Sequence, residues 1–221
     1  MRLASHGELQ MVVRGTKPKK EKSDRDSYYL RNKIIESAFE CLAEHGYQKT
    51  TLQLIADKAA CSRELPRYYF GSRDGLIAAL ISASKESWIN TFEKYQHEHH
   101  NNGLETLHEI CDTYRLIFME GSLRMRGQAV LIFGAADPGN PFLKEKIVLA
   151  QRDIRLVFQK IIETAFRGSN SAQNLDALAV LIYGTLRGLI YQWMTDPKSI
   201  EEYSTFNELK NLFSTIRKAV L

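Results

Sequence analysis

From residue 27 to the C-terminus the apolar side chains return every three or four positions, and no run alternates apolar and polar residues between hairpin signals. Only a repeat near 3.6 residues gathers side chains so spaced onto one face, so the chain reads as packed helices without a sheet. Glycine, proline and capping residues divide the pattern. The first helix covers 27–45, carries Leu30, Ile34, Ile35, Ala38, Phe39 and Leu42 inward, and stops at Gly46. Thr50 or Thr51 caps a second over 52–58, and Ser62 offers the cap of a short third that runs through Tyr69. Ser72 caps a long fourth over 73–97. Further helices follow over 103–119, 122–133, from the Asp137-Pro138-Gly139-Asn140-Pro141 break to 166, over 172–194 and over 199–220. The expected fold is all-α, with about nine helices.

Composition sets the limits. A hydrophobic fraction of 44% with 25% charged residues supports a buried core. No apolar run reaches the ~18 residues that a membrane span needs, and the N-terminus lacks a secretory pattern, so a cytoplasmic protein without a membrane partner is expected. Cys41, Cys61 and Cys111 are odd in number and widely spaced, which predicts small buried hydrophobes, with a redox role left open for Cys61. Charge is uneven: residues 1–73 hold fourteen Lys and Arg against nine Asp and Glu, residues 74–221 sixteen against seventeen. The positive excess lies in the first third and suggests a polyanion partner there. Residues 1–26, with the Pro-broken run Lys17-Pro18-Lys19-Lys20, read as a disordered basic arm, either a further DNA contact or a solubilising tail.

Residues 51–70 pair two short helices across Ala59-Ala60-Cys61, the geometry of a helix-turn-helix. Lys49, Thr50, Thr51, Gln53, Ser62, Arg63, Arg67, Tyr68 and Arg73 surround this module with hydroxyl, amide and guanidinium groups. Such groups hold phosphates, and Arg and Gln also read base edges.

The stretch 31–80 resembles the DNA-binding domain of the TetR family of bacterial regulators. The matching pieces are Ile34-Ile35, Ala38, Ala43 and Gly46-Tyr47; then Thr50-Thr51, Ile55-Ala56 and Ala59; then Tyr69-Phe70-Gly71-Ser72-Arg73-Asp74-Gly75-Leu76. The resemblance implies a homodimer that sets two recognition helices on a palindromic double-stranded DNA operator. By position, Thr51, Ser62, Arg63, Arg67 and Arg73 become the expected DNA contacts, with Lys49, Gln53 and Tyr68 beside them. Three positions depart from the family pattern. Ala60 stands where Gly is usual, Pro66 falls inside the third helix, and Arg67 replaces a phosphate-binding Tyr. A positive φ at Ala60 would cost about 1 kcal/mol, and Pro66 predicts a late or irregular helix start.

The resemblance further divides the chain into a helix-turn-helix domain over 27–72 and a ligand-binding and dimerisation bundle over 73–221. It implies a pocket for a small-molecule effector, for which Trp88, Phe92, Arg115, Phe118, Met119, Phe133, Phe158, Tyr183 and Arg187 are candidates; most large apolar residues there are simply core. An Arg in such a pocket either binds a carboxylate or pairs with an acidic neighbour. The last two helices carry Leu178, Leu181, Ile182, Leu186 and Leu189, and Phe206, Leu209, Leu212, Phe213 and Ile216. These faces form either a four-helix dimer interface, which the resemblance favours, or packing within one subunit. Two rival readings are an enzyme and a helical ligand-binding or adaptor protein. Among His97, His99 and His100, neighbours one or two apart do not share a helix face, and no HExxH, phosphate loop or nucleophile elbow is present, so no enzyme activity, metal or cofactor is expected. An adaptor leaves the basic excess around 49–73 unexplained.

Overall fold

The computed structural model describes residues 19–100, 102–120, 122–166 and 175–220. They form nine helices: α1 Lys19–Lys49, α2 Leu52–Lys58, α3 Leu65–Phe70, α4 Arg73–Glu98, α5 Gly103–Glu120, α6 Leu123–Gly134, α7 Pro141–Ala165, α8 Leu175–Thr195 and α9 Glu202–Val220. No strand occurs among the described residues, and none of their helices is long and apolar enough to cross a membrane.

Sequence punctuation set most of the boundaries. Thr51, Ser72, Ser122 and Asn140 each accept a hydrogen bond from the backbone N–H three residues on, at 3.2, 3.0, 3.4 and 3.1 Å. Gly46 interrupts α1 with φ 75 and ψ 173, and Gly71 ends α3 with φ 74.

Three boundaries differ from expectation. The first helix begins at Lys19, so part of the segment expected as a disordered arm is helical. The stretch 19–26 is free of Gly and Pro, which permits that extension. Residues 1–18 lie outside the described residues. Ser62 does not cap the third helix: its carbonyl accepts the Leu65 amide at 3.1 Å in a turn, and α3 starts at Leu65 with the buried Pro66 in its first turn. Proline fits there because a first-turn amide has no helical acceptor to lose. The last helix starts at Glu202, where Glu201 accepts the Tyr203 and Ser204 amides, while Ser199 donates to the Asp196 carbonyl. The expected start of the eighth helix, near 172, lies outside the described residues.

Two apolar cores meet along α4 and α6. The head core joins Ile34, Phe39, Leu42, Ile55, Leu76 and Leu80. Leu131 of α6 and Leu143 and Ile147 of α7 complete it, so the body supplies part of the floor of the head. The body core gathers Trp88, Phe92, Tyr114, Phe118, Phe158 and Trp193, with Phe118 stacked on Trp193 at 5.2 Å. α4 serves both, with Leu76 and Leu80 at one end and Trp88 and Phe92 at the other. α6 lies hard against α1: a Cβ added to Gly127 would come 2.2 Å from the Phe39 carbonyl oxygen. Arg124 on the same face pairs with Glu36 and covers the Phe39 ring at 4.8 Å.

Candidate nucleic-acid interface and effector cavity

The turn between α2 and α3 is closed by its own backbone. The Cys61 amide bonds the Ala56 carbonyl at 3.0 Å and the Ala60 amide the Asp57 carbonyl at 3.1 Å, which forces Ala60 to φ 49. The departure from glycine therefore places alanine in the left-handed region, as the pattern predicted. Ser62, Arg63, Arg67 and Tyr68 all project into solvent from this turn and α3, Tyr68 with 81% of its surface exposed. Behind them Tyr69 meets Ser27 at 3.2 Å, and Arg31 covers Phe70 at 5.3 Å, bracing α3 on α1. Thr51 and Lys49 are exposed at the start of α2, and Gln53 donates to Asp57 at 2.6 Å.

Arg73 is placed differently from its neighbours. Its guanidinium donates to the Thr50 carbonyl at 2.9 Å and to the Tyr47 carbonyl, and it lies 4.3 Å over the Tyr47 ring. These bonds pin the start of α4 to the loop before α2. Tyr47 as the platform for Arg73 was not foreseen; an aromatic beside the Gly46 break, facing a lone Arg, is the only hint the sequence holds. Cys61 is half-buried, and burial raises its thiol pKa, which works against a readily oxidised thiolate. Burial pushes Cys111 up to about 12.

In the body, the effector candidates separate into three groups. Trp88 and Arg187 line a chamber of about 30 Å³ between α4, α6 and α7, and Tyr183 joins Arg187 on an outer groove of about 340 Å³ between α7 and α8. Phe92, Phe118 and Phe158 are buried in the core instead, packed by Trp88, Trp193 and Tyr183. Arg115, Met119 and Phe133 lie elsewhere: Arg115 pairs with Asp112 at 3.8 Å, Met119 is exposed, and Phe133 packs edge-on against Tyr191. The polar lining of the chamber, Ser84, Lys85, Gln128 and Gln151, was not anticipated. Ser84 and Lys85 follow the inward-facing Leu80 and Ile81 by four, the spacing that shares a helix face, and Ser84 precedes Trp88 by four. A third cavity of about 180 Å³ opens between α4, α5 and α6, and Trp88 and Gln128 line it as well. The Trp88 indole N–H donates to Gln128 Oε1 at 3.2 Å, so one hydrogen bond stands between the two spaces.

The expected dimer faces need a larger correction. Ile182, Leu186, Phe206, Leu209 and Phe213 are buried within the subunit, and Leu178, Leu189 and Ile216 pack against the same core. Helices α8 and α9 need those side chains to close over α5 and α7. Leu181 and Leu212 do face solvent, 66% and 51% exposed. Beside Leu181, α8 also exposes Val180, Gly184 and Tyr191, and Gly184 and Gly188 open onto free space.

A short exposed helix braced on a three-helix head, joined by one continuous helix to a larger helical body with internal cavities, defines a helix-turn-helix regulator. Residues 34–80 match the profile of the bacterial regulatory proteins of the tetR family. Across the chain, a repressor of the acrEF/envCD operon from Escherichia coli (strain K12) is 22% identical over 196 residues, covering 83% of this chain and 84% of its own. In structure, a TetR-family transcriptional regulator from Rhodococcus sp. superposes with a TM-score of 0.72 at 16% identity, covering 86% and 99% of the two chains. SmeT, the repressor of the Stenotrophomonas maltophilia efflux pump SmeDEF, superposes in its triclosan complex with a TM-score of 0.68 at 18% identity, covering 79% and 84%. Residues 34–80 thus carry the DNA-binding domain of the tetR family of bacterial regulatory proteins, and the whole chain shares the fold of the regulators it superposes on.

Proposed function

We propose that this regulator represses transcription as a homodimer on a palindromic operator and leaves the operator when a small molecule enters its helical body. The observation that carries the reading is the outward set of Ser62 and Arg63 on the turn and Arg67 and Tyr68 on α3, whose other side is held by Tyr69, Phe70 and Pro66. Arg63 and Arg67 suit guanine edges and phosphates, and Thr51 and Lys49 suit phosphates at the start of α2. Arg73 serves as a positioning residue, since its donors are directed to Tyr47 and Thr50.

Dimerisation uses the outer face of α8, where Leu181, Gly184, Gly188 and Tyr191 leave room for a partner helix. Two heads then meet half-sites about 34–36 Å apart. Control follows from the walls of the chamber: α4 and α6 line it, and the same two helices carry the head. An effector that widens the chamber moves both, and ligand and DNA oppose each other by a coupling of about 1–3 kcal/mol. The triclosan bound by SmeT supports a body of this fold as a receptor for an aromatic small molecule.

Selection from random duplex DNA, run across a salt series beside the Arg63→Ala/Arg67→Ala double variant, tests the reading. A palindrome enriched by the parent and lost in the variant, with a salt slope shallower by about one per phosphate contact removed, is the expected result. Folded protein that enriches no sequence at low salt would overturn it.

A further inference from the structure

We propose that the chamber at Arg187 is a site for a carboxylate with an apolar body; as an effector site it rests on the reading above. Arg187 is half-buried on α8 and enters no ion pair among the described residues. Its Nε and Nη2 both donate to the Tyr183 hydroxyl, at 3.0 and 2.6 Å, a neutral acceptor supplied by its own helix. A guanidinium taken partly out of water gains about twice as much from an anionic acceptor as from a neutral one. The second observation is independent. Ser84 Oγ, on α4 in the same lining, is buried with no hydrogen-bond partner, although a helical serine usually bonds back to its own helix. An orphaned hydroxyl and an unpaired guanidinium thus line one space.

The rest of that lining fits a monoanion rather than a phosphate. Lys85, the other cation there, is already paired with Asp153 at 2.9 Å. Ile81, Leu131, Ile147 and Ile154 make the remaining wall apolar. Outside, Arg155 borders the groove that Arg187 and Gln151 share with the chamber, which draws an anion toward that mouth. At about 30 Å³ the chamber holds a water, not a ligand. The Trp88–Gln128 bond must open to join it to the 180 Å³ cavity, which provides room for the apolar body. Loading the site therefore displaces α4 and α6 against each other.

Calorimetry and thermal shifts on the full chain with benzoate, octanoate and decanoate, each against its alcohol, test the site. The acids are expected to bind about tenfold or more tightly than the alcohols. Arg187→Gln erases that ratio, and Ser84→Ala narrows it. No acid preferred over its alcohol by the parent protein overturns the proposal, as does a preference that survives Arg187→Gln. Because the ratio is read on the parent and on Ser84→Ala, a poorly folding Arg187 variant does not remove the test. Operator release separates the two readings: acids that bind at Arg187 yet leave DNA bound support the site and overturn effector control, whereas alcohols that bind and release DNA as well as the acids do the reverse.

Discussion

At the scale of single residues, the helix-turn-helix stores one unfavourable conformation. Ala60 sits at φ 49 because the Cys61 and Ala60 amides close the end of α2 over it, and its Cβ meets the following carbonyl there. Glycine has no such contact. Ala60→Gly should stabilise the protein by about 0.5–1 kcal/mol despite the entropy that glycine adds to the unfolded chain. Urea unfolding reads the difference as a raised midpoint at unchanged slope, and a lowered midpoint would refute it. Arg73 shows how a residue type can be legible while its partner is not. An arginine after the head marks a cation near DNA, but only the fold brings the Tyr47 and Thr50 carbonyls, more than twenty positions earlier, to its guanidinium.

Among elements, the contact of α6 with α1 is the tightest junction between body and head. Gly127 lies where the Phe39 backbone leaves no room for a Cβ, and backbone cannot swing aside as a side-chain end can. Gly127→Ala gains up to about 1 kcal/mol of helix propensity but meets an overpacking cost of about 1–3 kcal/mol or more, so a net loss of stability is expected. Thermal unfolding of the variant checks this, and a variant as stable as the parent would show that α6 slides freely on α1. The helices themselves were readable because caps and glycines act locally: Thr51, Gly46, Gly71 and Ser72 do what their chemistry dictates. The start of α3 was less so, since Ser62 and Glu64 compete to begin it and Pro66 decides. The apolar faces of α8 and α9 were recognised as faces, yet periodicity says nothing about what covers them. Ile182, Leu186 and Phe213 cover their own subunit, and the Gly184–Gly188 surface escaped notice because it is defined by absent side chains.

For the whole molecule, the proposed repression depends on two copies held at a fixed spacing. The exposed strip of Leu181, Gly184, Gly188 and Tyr191 is apolar or small, and a charge there would be buried unpaired between subunits. Leu181→Glu should yield a folded monomer whose operator affinity falls at least about tenfold, since each head alone makes half of the contacts. Sedimentation of the variant beside circular dichroism checks it; a variant that remains dimeric moves the interface elsewhere.

The two tryptophans of the chain, Trp88 and Trp193, both belong to the body core, and the head has none. Trp88 holds the wall between two cavities, while Trp193 lies stacked beneath Arg126 at 4.7 Å and far from that wall in sequence. Intrinsic tryptophan emission is thus an unlabelled optical gauge of the body alone, with one indole at the partition and the other packed under α6. DNA added to the head reaches that gauge only through α4 and α6, so a spectral change on operator binding would be a direct recording of the signal passing between the two halves.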